Sequence, residues 1–228
     1  MRGIFNLYLN FFKPEKLIGN FRPEGDLPTR REIVKRTITI AWPAVLESFL
    51  IALVAFVDNI MVSGLGTYAI TAVGLTTQPK FLAFAFLIAL NVATSALVAR
   101  RRGEGDQLAA NRVLKQVLVI MLVMVAVLTV IFTTFARQLI LFMGAKPDTV
   151  EHATAYFRIV MGFSIFQLTS MTINAAQRGT GNTKIAMRTN MISNGVNIVF
   201  NYLLIEGHFG FPALCVRGAA IATVIGSV

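Results

Sequence analysis

Apolar residues gather in six blocks, the first five near the length of a membrane crossing, with basic or small polar residues between them. The first block, ITIAWPAVLESFLIALVAFVDNIMV over 38–62, is long enough to cross about 30 Å of hydrocarbon as a helix. The pattern predicts further spans at about 69–98, 117–135, 153–175 and 185–205. A sixth, over 218–228, has about eleven residues, fewer than a crossing needs, and is expected to be incomplete. The expected fold class is an all-α membrane protein, a six-helix transmembrane bundle over 38–228. A basic leader over 1–37 precedes it, interrupted by Pro14, Pro23 and Pro28, with a short apolar start at Ile4–Phe12 that suits an interfacial segment better than a signal peptide.

Composition sharpens this picture. Of 228 residues, 55% are apolar and 14% charged, and the mean hydropathy is +0.67, which excludes a disordered chain and argues against a soluble domain. The net charge of +10 does not imply a nucleic-acid partner, because the basic residues lie between apolar blocks rather than along one face of a soluble fold. Cys215 has no partner for an internal disulfide. His152 and His208 stand apart from any ligand set, so no resident metal or other cofactor is expected.

The loop charges set the orientation. The segments before span one, between spans two and three, and between spans four and five hold 8, 5 and 3 lysines and arginines; the alternate segments hold Arg137, Lys146 and Arg217 alone. Basic residues are retained on the cytoplasmic side, so the amino terminus is expected in the cytoplasm and the protein in the plasma membrane. Lys80 and Arg158 remain within or near spans and are read as snorkelling or bundle-facing side chains.

A carboxylate inside a span is costly unless it faces the bundle interior or water. Glu47 and Asp58, eleven residues apart, project from nearly the same side of span one, about 16 Å apart in depth. Asp58 reads either as a cleft-facing acid near the end of the span or as a cap for the short SGLG turn. Glu47 reads either as a cleft-lining residue or as a buried, protonated glutamic acid bonded to a neighbour. Span five carries Asn190, Asn194, Asn197 and Asn201 at spacings of four, three and four, a polar stripe that serves either as interhelical glue or as the partner of the acids. Asn201 falls at roughly the depth of Asp58, so a carboxylate and two carboxamides at one level would share a proton or coordinate sodium through oxygen. Pro43 interrupts the hydrogen bonding of span one and marks either a hinge or a static kink.

Two segments imitate other chemistry. RGTGNTK at 178–184 lacks the residue order and the preceding strand of a phosphate loop. The basic RRGEGDQ at 101–107 is accounted for by loop charge bias. No nucleophile constellation is present, and no enzyme is expected.

Several segments together resemble the MATE (multidrug and toxic compound extrusion) transporter family: WPAVLESFLIALVAFVDNIMVSGLG at 42–66, ITAVGL at 70–75, GEGDQLAA at 103–110, AAQRGTGNTK at 175–184, NIVFNYLLIEG at 197–207 and RGAAIAT at 217–223. The resemblance implies a twelve-helix antiporter of two six-helix lobes that exports small amphipathic, often cationic drugs or metabolites in exchange for sodium or protons. This chain is similar to the amino-terminal lobe. Its expected partners are those substrates, membrane lipid, and a carboxy-terminal lobe or second chain. The resemblance carries the coupling role to Asp58, Asn197, Asn201 and Thr223, and the hinge to Pro43. Asn201 stands where some members have aspartate, which leaves one fewer titratable group. The alternatives are a lipid-linked precursor flippase of related architecture, for which a more cationic cavity is expected, and a non-transporting truncated fragment.

Overall fold

The computed structural model describes residues 29–228. The leader up to residue 28, including the interfacial segment expected at Ile4–Phe12, lies outside the described residues. The chain divides into two units between Val45 and Leu46, a point inside the first helix. In the first unit, Thr29 opens helix α1 (Arg30–Ser63): its backbone N–H and hydroxyl both donate to Glu32 Oε2, at 2.8 and 2.9 Å, satisfying a donor that a helix start leaves open. Pro43 lies inside the same helix and leaves the carbonyl four residues earlier without its helical donor.

The second unit continues α1 and adds α2 (Thr67–Gly103), α3 (Gln107–Thr134), the short α4 (Ala136–Phe142), α5 (Pro147–Gly162), α6 (Ser164–Gly179), α7 (Thr183–Ile205) and α8 (Cys215–Ser227). No strand occurs among the described residues. Helices α1, α2 and α3 are each long and apolar enough to cross a membrane alone. The fourth sequence block forms two helices, α5 and α6, bent by 48° rather than one straight span. Gly162 and Ser164 flank the break. The carbonyl of Met161 there accepts from the hydroxyls of Ser164 at 2.8 Å and Thr129 at 3.1 Å, so the interrupted helix leaves no acceptor stranded in an apolar setting.

Apolar side chains point outward. Phe81, Leu82, Phe86 and Val92 on α2, and Val119, Val123 and Val130 on α3, are exposed. The interior carries small residues: Ala69, Ala72 and Ala83 let neighbouring helices approach α2, which packs against α3, α5 and α6. Lipid offers apolar side chains as good an environment as the protein interior does, so close packing and polar bonds hold such a bundle together. The tightest approach is α7 against α8. A Cβ added to Gly218 would meet the Leu204 carbonyl oxygen at 2.3 Å, and one added to Gly226 would meet Asn197 Cβ and the Ser193 carbonyl oxygen at 2.8 Å each. RGTGNTK forms the turn between α6 and α7, with Gly181 at φ +82, a left-handed value that glycine adopts without strain. The six blocks therefore appear as α1, α2, α3, the α5–α6 pair, α7 and α8, an all-α membrane fold.

Candidate functional site

A cavity of about 570 Å³ opens between residues 47–58 of α1 and the walls formed by α2, α6, α7 and α8. Glu47, Ile51, Val54, Ala55 and Asp58 line it from α1, at helical spacing, so the two acids do share one inward face. Opposite them stand Asn190, Ser193, Asn194 and Asn197 of α7, with Thr223, Gly226 and Ser227 of α8. The remaining wall comes from Lys80 of α2 and Gln167, Ser170, Met171, Asn174 and Arg178 of α6.

Polar side chains meet at two levels. At the level nearer the α1–α2 turn, Asn201 Nδ2 donates to Asp58 Oδ1 at 2.7 Å and to Asn197 Oδ1 at 3.2 Å. Asn201 and Asn197 are buried, at 2% and 7% exposure, whereas Asp58 is half-buried and keeps access to the cavity. Asn201 Oδ1 is buried without a hydrogen-bond donor among the described residues. A buried carbonyl oxygen in that condition costs free energy, so a proton donor or a cation has a place to act there. Thr223 closes this level, its hydroxyl donating to the Ala219 carbonyl at 2.9 Å, with the buried Tyr156 hydroxyl beside it.

At the second level, Glu47 is buried at 8% exposure and Oε1 accepts from Arg178 Nη1 at 3.3 Å and from Asn190 Nδ2. Asn190 Oδ1 in turn accepts from Asn174 Nδ2 at 3.3 Å. Glu47 thus lines the cavity and is at the same time buried and bonded to its neighbours, in an ion pair with Arg178 supported by amides. Within the second unit, these bonds tie α1 to α6 and α7, since its backbone nowhere packs closely along another helix.

Every cleft residue expected from the sequence lines the cavity or bonds to a residue that does. Asn194 lines it without a side-chain bond among the described residues. Pro43 belongs to the first unit and is not among the lining residues. Arg178, Asn174, Lys80 and Gln167 were missed as site residues. A readable signal existed on α6, where Gln167, Ser170, Asn174 and Arg178 recur at spacings of three, four and four, the same kind of stripe as on α7. The cavity therefore carries acids, amides and two basic side chains, not acids and amides alone.

The cluster has the chemistry of a cation-handling site. One carboxylate, two amide oxygens and a hydroxyl suit a hard monovalent ion or a proton. Among the described residues no group of three or more His, Cys, Asp and Glu side chains could hold a transition metal.

The family model MatE matches residues 43–203. The probable multidrug resistance protein NorM of Thermotoga maritima is 31% identical over 214 residues, covering 92% of this chain and 44% of its own length. The multidrug resistance protein PmpM of Pseudomonas aeruginosa is 27% identical over 194 residues, covering 85% and 40%. Among solved structures, a MOP superfamily transporter from Pyrococcus furiosus matches with a TM-score of 0.76 and 31% identity, covering 85% of this chain and 42% of its own. A structure described as MATE in the straight conformation matches with a TM-score of 0.77 at 29% identity, covering the same shares of the two chains. The chain thus spans less than half the length of the relatives it matches. With the family model covering most of the bundle and the helices superposing on solved MATE structures, this chain belongs to the MatE family of membrane proteins.

Proposed function

We propose that this chain forms the amino-terminal lobe of a secondary antiporter of the plasma membrane, exporting small amphipathic, often cationic compounds in exchange for sodium or protons. The observation that carries the reading is Asp58 facing the cavity while bonded to Asn201, whose free carbonyl oxygen and neighbour Asn197 complete an oxygen-rich cluster. Relatives named as multidrug resistance proteins support the substrate class. Their greater length supports a second lobe across the cleft, because one lobe alone would turn its polar cavity toward lipid. The cytoplasmic placement of the amino terminus rests on the loop charges.

In this reading, a proton or sodium ion on Asp58 competes with the Asn201 amide for the same carboxylate oxygen. Loss of that bond frees α1 from α7 at one level while the Glu47–Arg178 pair still holds the other. Residues 46–63 then repack across the cavity and displace the substrate. Pro43 is the point at which α1 bends.

The test is Asp58→Asn in the two-lobe protein reconstituted in vesicles, with efflux of an amphipathic dye, rhodamine B, driven by a sodium or proton gradient. Gradient-linked efflux is expected to disappear while membrane insertion stays normal. Coupled efflux at the parent rate would refute the reading.

A further inference from the structure

Four charged side chains line the cavity, and two of them cancel. Glu47 and Arg178 form an ion pair at 3.3 Å. Asp58 has an amide partner but no cation, and Lys80 has neither a carboxylate within ion-pair distance nor a hydrogen-bond acceptor among the described residues. Both project from helices that meet at the same three-residue turn, Gly64 to Gly66. Asp58 lies about 8 Å from that turn along α1, and Lys80 about 20 Å from it along α2. The two unpaired charges thus sit at different depths and do not neutralise each other.

Lys80 is also held in place. Its helix turn is anchored by buried Thr76, Pro79, Ala83 and Phe84, and Gln167, Ser170 and Met171 of α6 complete its part of the cavity wall. A lysine at mid-span that merely snorkels would run along the helix to the nearest interface. This one belongs to the lining of a polar cavity. A purely cationic guest satisfies Asp58 but meets repulsion from Lys80, and it leaves the ammonium without an acceptor at a depth where that is costly. A guest carrying an amine or iminium at one end and a carboxylate at the other satisfies both.

We propose that Lys80 is a substrate-recognition residue that binds a carboxylate, so that the cavity selects amphipathic zwitterions over simple cations. This rests on the cavity being the transport site and narrows its substrate class.

The test uses one fluorophore in two charge states: rhodamine B, a zwitterion with a free carboxylate, and its ethyl ester, a cation. Binding of each to the purified protein in detergent is read by fluorescence polarisation at low salt. Parent protein is expected to favour rhodamine B. Lys80→Gln should weaken rhodamine B about tenfold, as for loss of a hydrogen bond to a charged group, and leave the ester within about twofold. Lys80→Arg should restore the preference, which shows that charge rather than helix packing is read. No preference in the parent protein, or equal losses for both dyes in Lys80→Gln, would overturn the proposal. The dye ratio is independent of coupling: if Asp58→Asn keeps gradient-linked efflux but Lys80→Gln abolishes the dye preference, the coupling role of Asp58 fails and carboxylate recognition stands. The reverse pattern fails only Lys80.

Discussion

The amide of Asn201 reaches Asp58 across 143 positions of sequence, closing a 2.7 Å hydrogen bond between α7 and α1. Hydrogen bonds to a charged acceptor contribute about 1.5–3 kcal/mol, more than a neutral bond, and this one ties down a stretch of α1 that packs loosely elsewhere. Asn201→Leu is therefore expected to lower thermal stability in detergent by about 2 kcal/mol. Asn194→Ala, which removes a lining amide without a bond, should stay within about 0.5 kcal/mol. Equal effects of the two substitutions would mean that the Asp58 contact holds nothing.

The Glu47–Arg178 pair makes a different prediction, because removing either partner leaves the other charged and poorly solvated. Glu47→Gln and Arg178→Met should each cost on the order of 2 kcal/mol, less than a fully buried pair because Arg178 is a third exposed. The double variant should lose less than the sum, since it removes the stranded charge. Thermal unfolding of the four proteins gives the coupling energy directly; strict additivity would show the pair to be incidental.

Outside the bundle, Glu104 follows α2 and accepts from Arg101 at 2.8 Å and Arg100 at 3.0 Å. The Arg101 bond, then the Arg100 bond, holds its carboxyl below the usual glutamate range. A group with a depressed folded value contributes stability above its unfolded value and loses it as pH falls through the folded one. The Glu104 carboxyl resonance should therefore titrate at lower pH in the parent protein than in Arg101→Ala. An unchanged midpoint would dissolve the interaction.

Much of the cavity was legible because periodicity survives without coordinates. Asn190, Asn194, Asn197 and Asn201 fall on one face of any helix, and so do Glu47 and Asp58; their meeting needed only two parallel crossings, spans one and five, with the two rows at similar depth. Arg178 ends the polar stripe of α6, but beside a glycine-rich turn it reads as loop charge. Its long side chain instead returns to an acid 131 positions away. The break after Gly162 was hidden for a similar reason: apolar residues continue across it, and the hydroxyls of Ser164 and Thr129 that satisfy Met161 come partly from another helix.

Glycine substitutions separate close packing from helix propensity. Gly218 and Gly195 both lie inside helices, and alanine in place of glycine ordinarily stabilises a helix interior by up to about 1 kcal/mol. At Gly195 an added Cβ meets nothing within 4 Å, so Gly195→Ala should be neutral or stabilising. At Gly218 the same methyl would lie 2.3 Å from the Leu204 carbonyl oxygen and 2.7 Å from its carbon, backbone atoms that cannot swing aside, so α8 must move off α7. That shift carries Thr223 away from the Asp58 level, five residues further along α8. Gly218→Ala is expected to lower the melting temperature by several degrees, on the order of 1–3 kcal/mol for overpacking, and to weaken ion coupling with it. A stable, fully coupled Gly218→Ala protein would mean that the α7–α8 contact does not set the geometry of the cluster.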